Sequence, residues 1–249
     1  MTKTIDLNAD LGEGDAYDEA LLRVVSSCNI ACGGHAGDTG TMARTLAAAV
    51  ANGVTIGAHP GYPDREGRGR RARFMHGAAL RDSLVAQLEA LAAVAADADV
   101  AIAHVKPHGA LYNDSADDPE LAATLVEALR ALPGPPALVG LPASAHADAA
   151  RDAGLEFVAE AFVDRAYLPS GRLVPRAEPG AVHGDTDVVT AQAVSLATRG
   201  RVQTPGGQTI AIAADTLCLH GDTPGADRLA AAVRAALEAC GVKIRAPRP

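Results

Sequence analysis

Tryptophan is absent from the 249 residues, and aromatic side chains make up only 3% of them. A core built without them has to be filled by Ala, Val, Leu and Ile. The stacking platforms on which single-strand nucleic-acid binders hold bases are also missing. Positive charge is in short supply: 22 Lys and Arg stand against 30 Asp and Glu, for a net charge of -8. That balance disfavours nucleic acid and anionic membrane as partners. Four cysteines are too few for a disulfide framework, and all four read as small buried core residues. The first residues carry no signal-peptide apolar region, and the longest apolar stretches are Ala-rich and broken by Asp or Arg. The expectation is a cytoplasmic protein. Familiar cofactor and hydrolase motifs are missing as well. There is no Gly-x-x-x-x-Gly-Lys-Ser/Thr phosphate loop, no Gly-x-Gly-x-x-Gly after a strand, no Gly-x-Ser-x-Gly elbow and no His-Glu-x-x-His helix.

What is present is a rhythm. Short β-like runs at 4–8, 27–31, 55–58, 101–106, 137–141, 157–162 and 216–219 alternate with Ala/Leu-rich stretches of helical spacing at 42–52, 78–96, 119–132, 143–153, 187–199 and 226–240. Gly53, Gly154, Gly200 and Gly241 each follow an apolar-periodic run, as C-terminal caps do. Ser115-Ala116-Asp117-Asp118 has capping-box spacing, with Pro119 in the first turn. Residues 201–212 break the rhythm and read as a hairpin around Pro205-Gly206-Gly207. The alternation predicts an α/β fold with a parallel sheet, a single-domain (β/α) barrel over 1–249 with about seven strands, distorted and TIM-like. An open doubly wound sheet is the alternative that periodicity leaves standing.

Chemistry collects where the strands end. Asn8 and Asp10 close the first, Gly33, Gly34, His35 and Asp38 follow the second, and His59 closes the third. Lys106 and His108 follow the fourth, Glu160, Asp164 and Arg165 belong to the sixth, and His220 and Asp222 follow the seventh. In a parallel barrel these ends share one face, the face on which active sites form. Asp38 reads as the cap of the next helix. Lys106 at the rim of an apolar strand demands an anion, and Glu160 inside Val158-Ala159-Glu160-Ala161-Phe162 must be paired or have a raised pKa. Asp10, His35 and His59 are ligand types for a divalent cation, which spacing leaves open. Arg165, directly after a strand, is favoured over Arg70-Arg71 for holding a carboxylate or phosphate.

Seven ordered blocks carry a resemblance. Asp6-Leu7-Asn8-Ala9-Asp10-Leu11-Gly12-Glu13, the segments 29–38 and 56–64, Gly69-Arg70-Arg71, the segments 105–113 and 160–165, and Leu219-His220-Gly221-Asp222 together resemble the LamB/YcsF family over residues 5 to 240. The resemblance implies a barrel related to glycoside hydrolases and sugar deacetylases. It also implies a part in an ATP-dependent 5-oxoprolinase, which hydrolyses the lactam 5-oxo-L-proline to L-glutamate. ATP is consumed by the complex, and partner subunits B and C activate the substrate, which agrees with the missing phosphate loop here. On this reading Asp10 or Glu160 deprotonates water, assisted by His35 or His59. Lys106, His108 or the Gly33-Gly34 backbone stabilises charge on oxygen, Arg165 holds the substrate carboxylate, and Asn8 and His220 complete the pocket. Gly34 and Arg68 stand where the family usually has Phe, which bears on substrate shape or a lid contact. A metal-dependent deacetylase or amidohydrolase, or a non-catalytic substrate-handling subunit, are the alternatives.

Overall fold

The computed structural model describes residues 3–72 and 75–247. Seven parallel strands close into a barrel. They are β1 (Thr4–Leu11), β2 (Ser27–Ala31), β3 (Thr55–His59), β4 (His104–Val105), β5 (Ala137–Gly140), β6 (Phe157–Phe162) and β9 (Thr216–Leu219). Pairing of β1 with both β2 and β9 closes the ring and excludes the open sheet. The antiparallel hairpin of β7 (Arg201–Gln203) and β8 (Thr209–Ala211) stands apart, where the break in rhythm put it. Around the barrel lie α1 (Asp18–Leu22), α2 (Thr39–Ala51), α3 (Gly77–Asp97), α4 (Gly109–Asp117), α5 (Pro119–Arg130), α6 (Ala145–Asp152), α7 (Thr186–Arg199) and α8 (Ala226–Ala239). A two-residue β10 (Lys243–Ile244) pairs with the start of β1. No helix among the described residues is long and apolar enough to cross a membrane.

Several local readings need correction. The fourth strand is far shorter than residues 101–106, because only His104 and Val105 find ladder partners before Pro107. Ser115 caps nothing: it lies inside α4, and Asp118 accepts from the Glu120 and Leu121 amides at the start of α5. Cys240 is exposed, unlike the other three cysteines. Asp38 caps α2 through the Thr41 amide as expected, and Gly200 ends α7 in the left-handed conformation.

The barrel lumen explains the sequence of β1. Ile5, Leu7, Ala9 and Leu11 are buried in the apolar layer beneath the helices, while Asp6, Asn8 and Asp10 share the opposite, inward parity. Polar lumen residues are costly unless paired, and here they bond in tiers. Asp6 accepts from Ser26, Ser27 and Thr216, each at 2.6 Å. Above it, Asn8 donates to Thr216 at 2.7 Å and to Glu160 at 3.1 Å. Asn29 donates to Asn8 and Asp10, and accepts at 2.8 Å from the His104 ring. Gly57 leaves the volume that the His104 imidazole fills, since a Cβ there would collide with the ring. Filling the interior with bonded polar groups, rather than with layers of Val, Ile and Leu, makes a rigid floor for whatever sits at the rim.

Candidate active site

A cavity of about 540 Å³ opens at the C-terminal rim of the barrel, with Asp10, His59, Lys106, Phe162 and His220 among its lining residues. Lys106 leaves the end of β4 pointing into the lumen. Its Nζ lies 3.0 Å from Asp10 Oδ1, 2.9 Å from Glu160 Oε1 and 3.1 Å from Cys218 Sγ, and 5.2 Å from the centre of the Phe162 ring. Burial opposes the charge on Lys106, but Asp10, Cys218 and Glu160 outweigh it and hold the ammonium well above its ordinary range. Asp10 is likewise opposed by burial and held well below the carboxylate range by His59 and Lys106. Burial drives the Cys218 thiol far up, so it contributes a neutral sulfur. Glu160 Oε2 and the Tyr112 hydroxyl are both buried without a normal hydrogen bond, and burial followed by Glu160 pushes the Tyr112 phenol up.

The second cluster surrounds Glu13, which sits between two glycines just past β1. The His59 ring lies with Nδ1 2.8 Å from the Lys106 carbonyl, and His108 with Nε2 2.9 Å from the Arg68 carbonyl. A carbonyl only accepts, so each of these nitrogens carries the proton. The other two nitrogens, His59 Nε2 and His108 Nδ1, then face each other 2.9 Å apart. Glu13 Oε1 lies 3.3 Å from His108 Nδ1 and 3.2 Å from His35 Nε2. The His35 and His108 rings stack at 3.6 Å. Burial lowers the pKa of both His35 and His108, leaving them neutral. Glu13 stays ionised despite its burial, held low by His35 and the imidazoles beside it. Two lone pairs and a carboxylate converging on one point, each ligand oriented by a backbone carbonyl or a neighbour, fit a divalent cation of the zinc type. The ligand atoms of Glu13, His35, His59 and His108 all lie within 4.8 Å of one another.

Of the residues singled out in the sequence, Asp10, His59, Lys106, His108, Arg165 and His220 line the cavity. His220 stacks on Phe162 at 5.6 Å and is fixed by Asp164, whose carboxylate accepts from its backbone amide and contacts Nδ1. Glu160 lies beneath Lys106, and His35 stands behind Glu13 and His108. Three expected substrate contacts are not on the wall. Asn8 is a buried strut of the lumen. The Gly33 amide is spent on the Ala36 carbonyl, and Gly34 makes room for the Gln87 side chain, whose amide holds both backbone groups of Gly61. Arg165 faces the cavity, yet its Nε and Nη2 are taken by the carbonyls of Ala181 and Val174. Sequence reasoning passed over Glu13, Asn29, His104 and Cys218. The alternation of Ser27, Asn29 and Ala31 with apolar residues, and an acid between two glycines, were the available signals.

A closed parallel barrel with acid/base and imidazole clusters at its C-terminal rim places the chain among the α/β-barrel proteins built as enzymes are. More narrowly, the chain belongs to the LamB/YcsF family, whose sequence profile matches residues 5–249. It is 47% identical to the A subunit of 5-oxoprolinase from Bordetella pertussis, over 99% of this chain and 100% of that one. The corresponding A subunit of Streptomyces griseus 5-oxoprolinase is 49% identical, over 97% and 99% of the two chains. A crystal structure of the lactam utilization protein from Thermus thermophilus superposes with a TM-score of 0.91 at 40% identity, covering 98% of this chain and 100% of that one.

Proposed function

We propose that this chain is the ring-opening component of an ATP-dependent 5-oxoprolinase, hydrolysing 5-oxo-L-proline to L-glutamate with ATP cleaved to ADP and phosphate in concert with partner subunits B and C. The carrying observation is Lys106, a buried ammonium clamped between Asp10 and Glu160 on the cavity floor. Full-length relatives that bear the name of the 5-oxoprolinase A subunit support the choice of substrate.

Ring opening adds water to the lactam carbonyl carbon, moves charge onto the carbonyl oxygen, and breaks the C–N bond as the ring nitrogen takes a proton. Lys106, whose three N–H groups face Asp10, Glu160 and Cys218, supplies a fixed positive charge towards the growing oxyanion, preorganised by two carboxylates and excluded from bulk water. Asp10 Oδ2, 3.3 Å from His59 Nε2 of the imidazole cluster, is the acceptor for the proton of the attacking water. Glu160 is a positioning residue: it holds Lys106 and, through Asn8, the floor. A lactam carbonyl is a poor electrophile, and the chain carries no phosphate loop, so the ATP-driven activation falls to the partners. Glu13, His35, His59 and His108 would hold a divalent cation, which would supply Lewis-acid polarisation of the carbonyl.

The test is 5-oxo-L-proline-dependent ATP hydrolysis and glutamate release by the chain with and without partner subunits B and C. Glutamate formation that requires this chain and is lost in Asp10→Asn is expected; full activity of the partners alone would remove the reading. Metal analysis of protein purified without added metal tests the cation. Stoichiometric zinc or nickel that disappears in His108→Ala is expected, and metal-free protein with full activity would remove it.

A further inference from the structure

Away from the floor, three arginines gather on one wall of the same cavity: Arg70 from the loop after β3, and Arg165 and Arg176 from the loop after β6. Arg70 Nη2 lies 2.6 Å from Asp222 Oδ2, and Arg176 Nη2 bonds both oxygens of that carboxylate at 2.8 and 2.7 Å. Asp164, the other acid nearby, is committed to His220. Among the described residues, three guanidinium groups therefore share one available carboxylate in a chain of net charge -8. Their crowding shows on Arg165, whose pKa is lowered by burial and then by Arg176, with Arg70 adding to it. Arg165 is also pinned by two loop carbonyls, so it supplies a fixed charge, whereas Arg70 and Arg176 keep further guanidinium nitrogens beside the cavity.

We infer that Arg70 and Arg176, spaced by Asp222 and backed by Arg165, form the oxyanion-binding wall that takes the substrate carboxylate. The inference rests on the proposed 5-oxoprolinase reading for the ligand, though not for the wall. The wall joins the floor through His220, two residues from Asp222 and stacked on Phe162, whose ring lies beside Lys106. A flat five-membered lactam lying along Phe162 places its carbonyl at Lys106 and its carboxylate, on the far side of the ring nitrogen, at the arginines. Planar forked donors suit that carboxylate, and a phosphoryl group would offer the same chemistry.

The experiment measures binding of 5-oxo-L-proline, 2-pyrrolidinone and inorganic phosphate to the full chain by calorimetry, in wild type, Arg70→Gln and Arg176→Gln. Wild type is expected to prefer 5-oxo-L-proline over 2-pyrrolidinone, which lacks the carboxylate. Each variant is expected to weaken 5-oxo-L-proline by about tenfold or more, leaving 2-pyrrolidinone and the thermal midpoint little changed. In the assembled enzyme the same variants raise KM more than they lower kcat. Phosphate bound in an arginine-dependent way, with neither lactam bound, would keep the wall as an oxyanion site and overturn the lactam reading. Equal affinity for the two lactams, or 5-oxo-L-proline binding indifferent to both substitutions, would overturn the wall while leaving that reading intact.

Discussion

Lys106 shows why single residues here cannot be judged by charge alone. Replacing it by Met leaves Asp10 and Glu160 facing each other without a cation, and uncompensated buried charge of this kind costs about 3–5 kcal/mol. Lys106→Met is therefore expected to lower stability in urea unfolding as well as activity, so it tests the fold more than the chemistry. Asp10→Asn is the cleaner change: the amide keeps the size, and the residue sits at the rim, with 12% of its side chain exposed. It should lower kcat by roughly two to four orders of magnitude with a near-native thermal midpoint; a rate within a few-fold of wild type would remove Asp10 as the base. The strand-end positions of Asp10, His59, Lys106 and His220 were legible in the sequence, because parity and strand ends fix where such side chains go. The partition among the arginines was not. Arg165 is pinned by carbonyls of Val174 and Ala181, loop atoms whose position no periodicity reveals.

At the level of elements, packing explains why position 34 is glycine. Gly34 has no room for a side chain because Gln87 of α3 reaches under the β2–α2 turn to hold Gly61. Gly34→Ala is expected to cost about 1–3 kcal/mol by evicting the Gln87 amide. The cost should shrink in a Gln87→Ala background, since the two residues compete for one space; strictly additive effects would show that the contact is not what matters. The Arg68 guanidinium contacts Glu13 at 3.3 Å and Asp15 at 3.0 Å, adding a cation above the imidazole cluster. Long periodic helices such as α3, α5 and α8 were readable, as was the hairpin. The two-residue β4 and the nine-residue α4 were not, because one depends on its neighbours' ladders and the other on Gly109 turning the chain straight into a helix. The polar parity of β1 belongs to a lumen, a placement that only ring closure makes.

Across the whole molecule, the same burial that builds the lumen sets a pH limit on the fold. His104 in the lumen has its pKa lowered to about 4, by burial first, and His146 in the first turn of α6 is lowered to about 3, again by burial. Unfolded, both would titrate near 6.5. Between the two values the unfolded chain binds more protons than the native one, so stability rises with pH there. The contribution is complete above about pH 6.5 and is lost as pH falls towards 4 and then 3, at most on the order of 3 kcal/mol for His104 and on the order of 5 kcal/mol for His146. Asp18 works the other way: burial raises its pKa to about 6, so the native state holds that proton more tightly and gains stability as pH falls through 6. The histidines outnumber it and are more deeply buried, so the unfolding free energy measured in urea should fall from pH 7 to pH 5. His146→Gln tests the assignment, because an amide can replace the ring's contact with Ser115 without titrating. The variant should lose part of that pH slope even if it starts less stable; an unchanged slope would mean that His146 titrates normally in the folded chain.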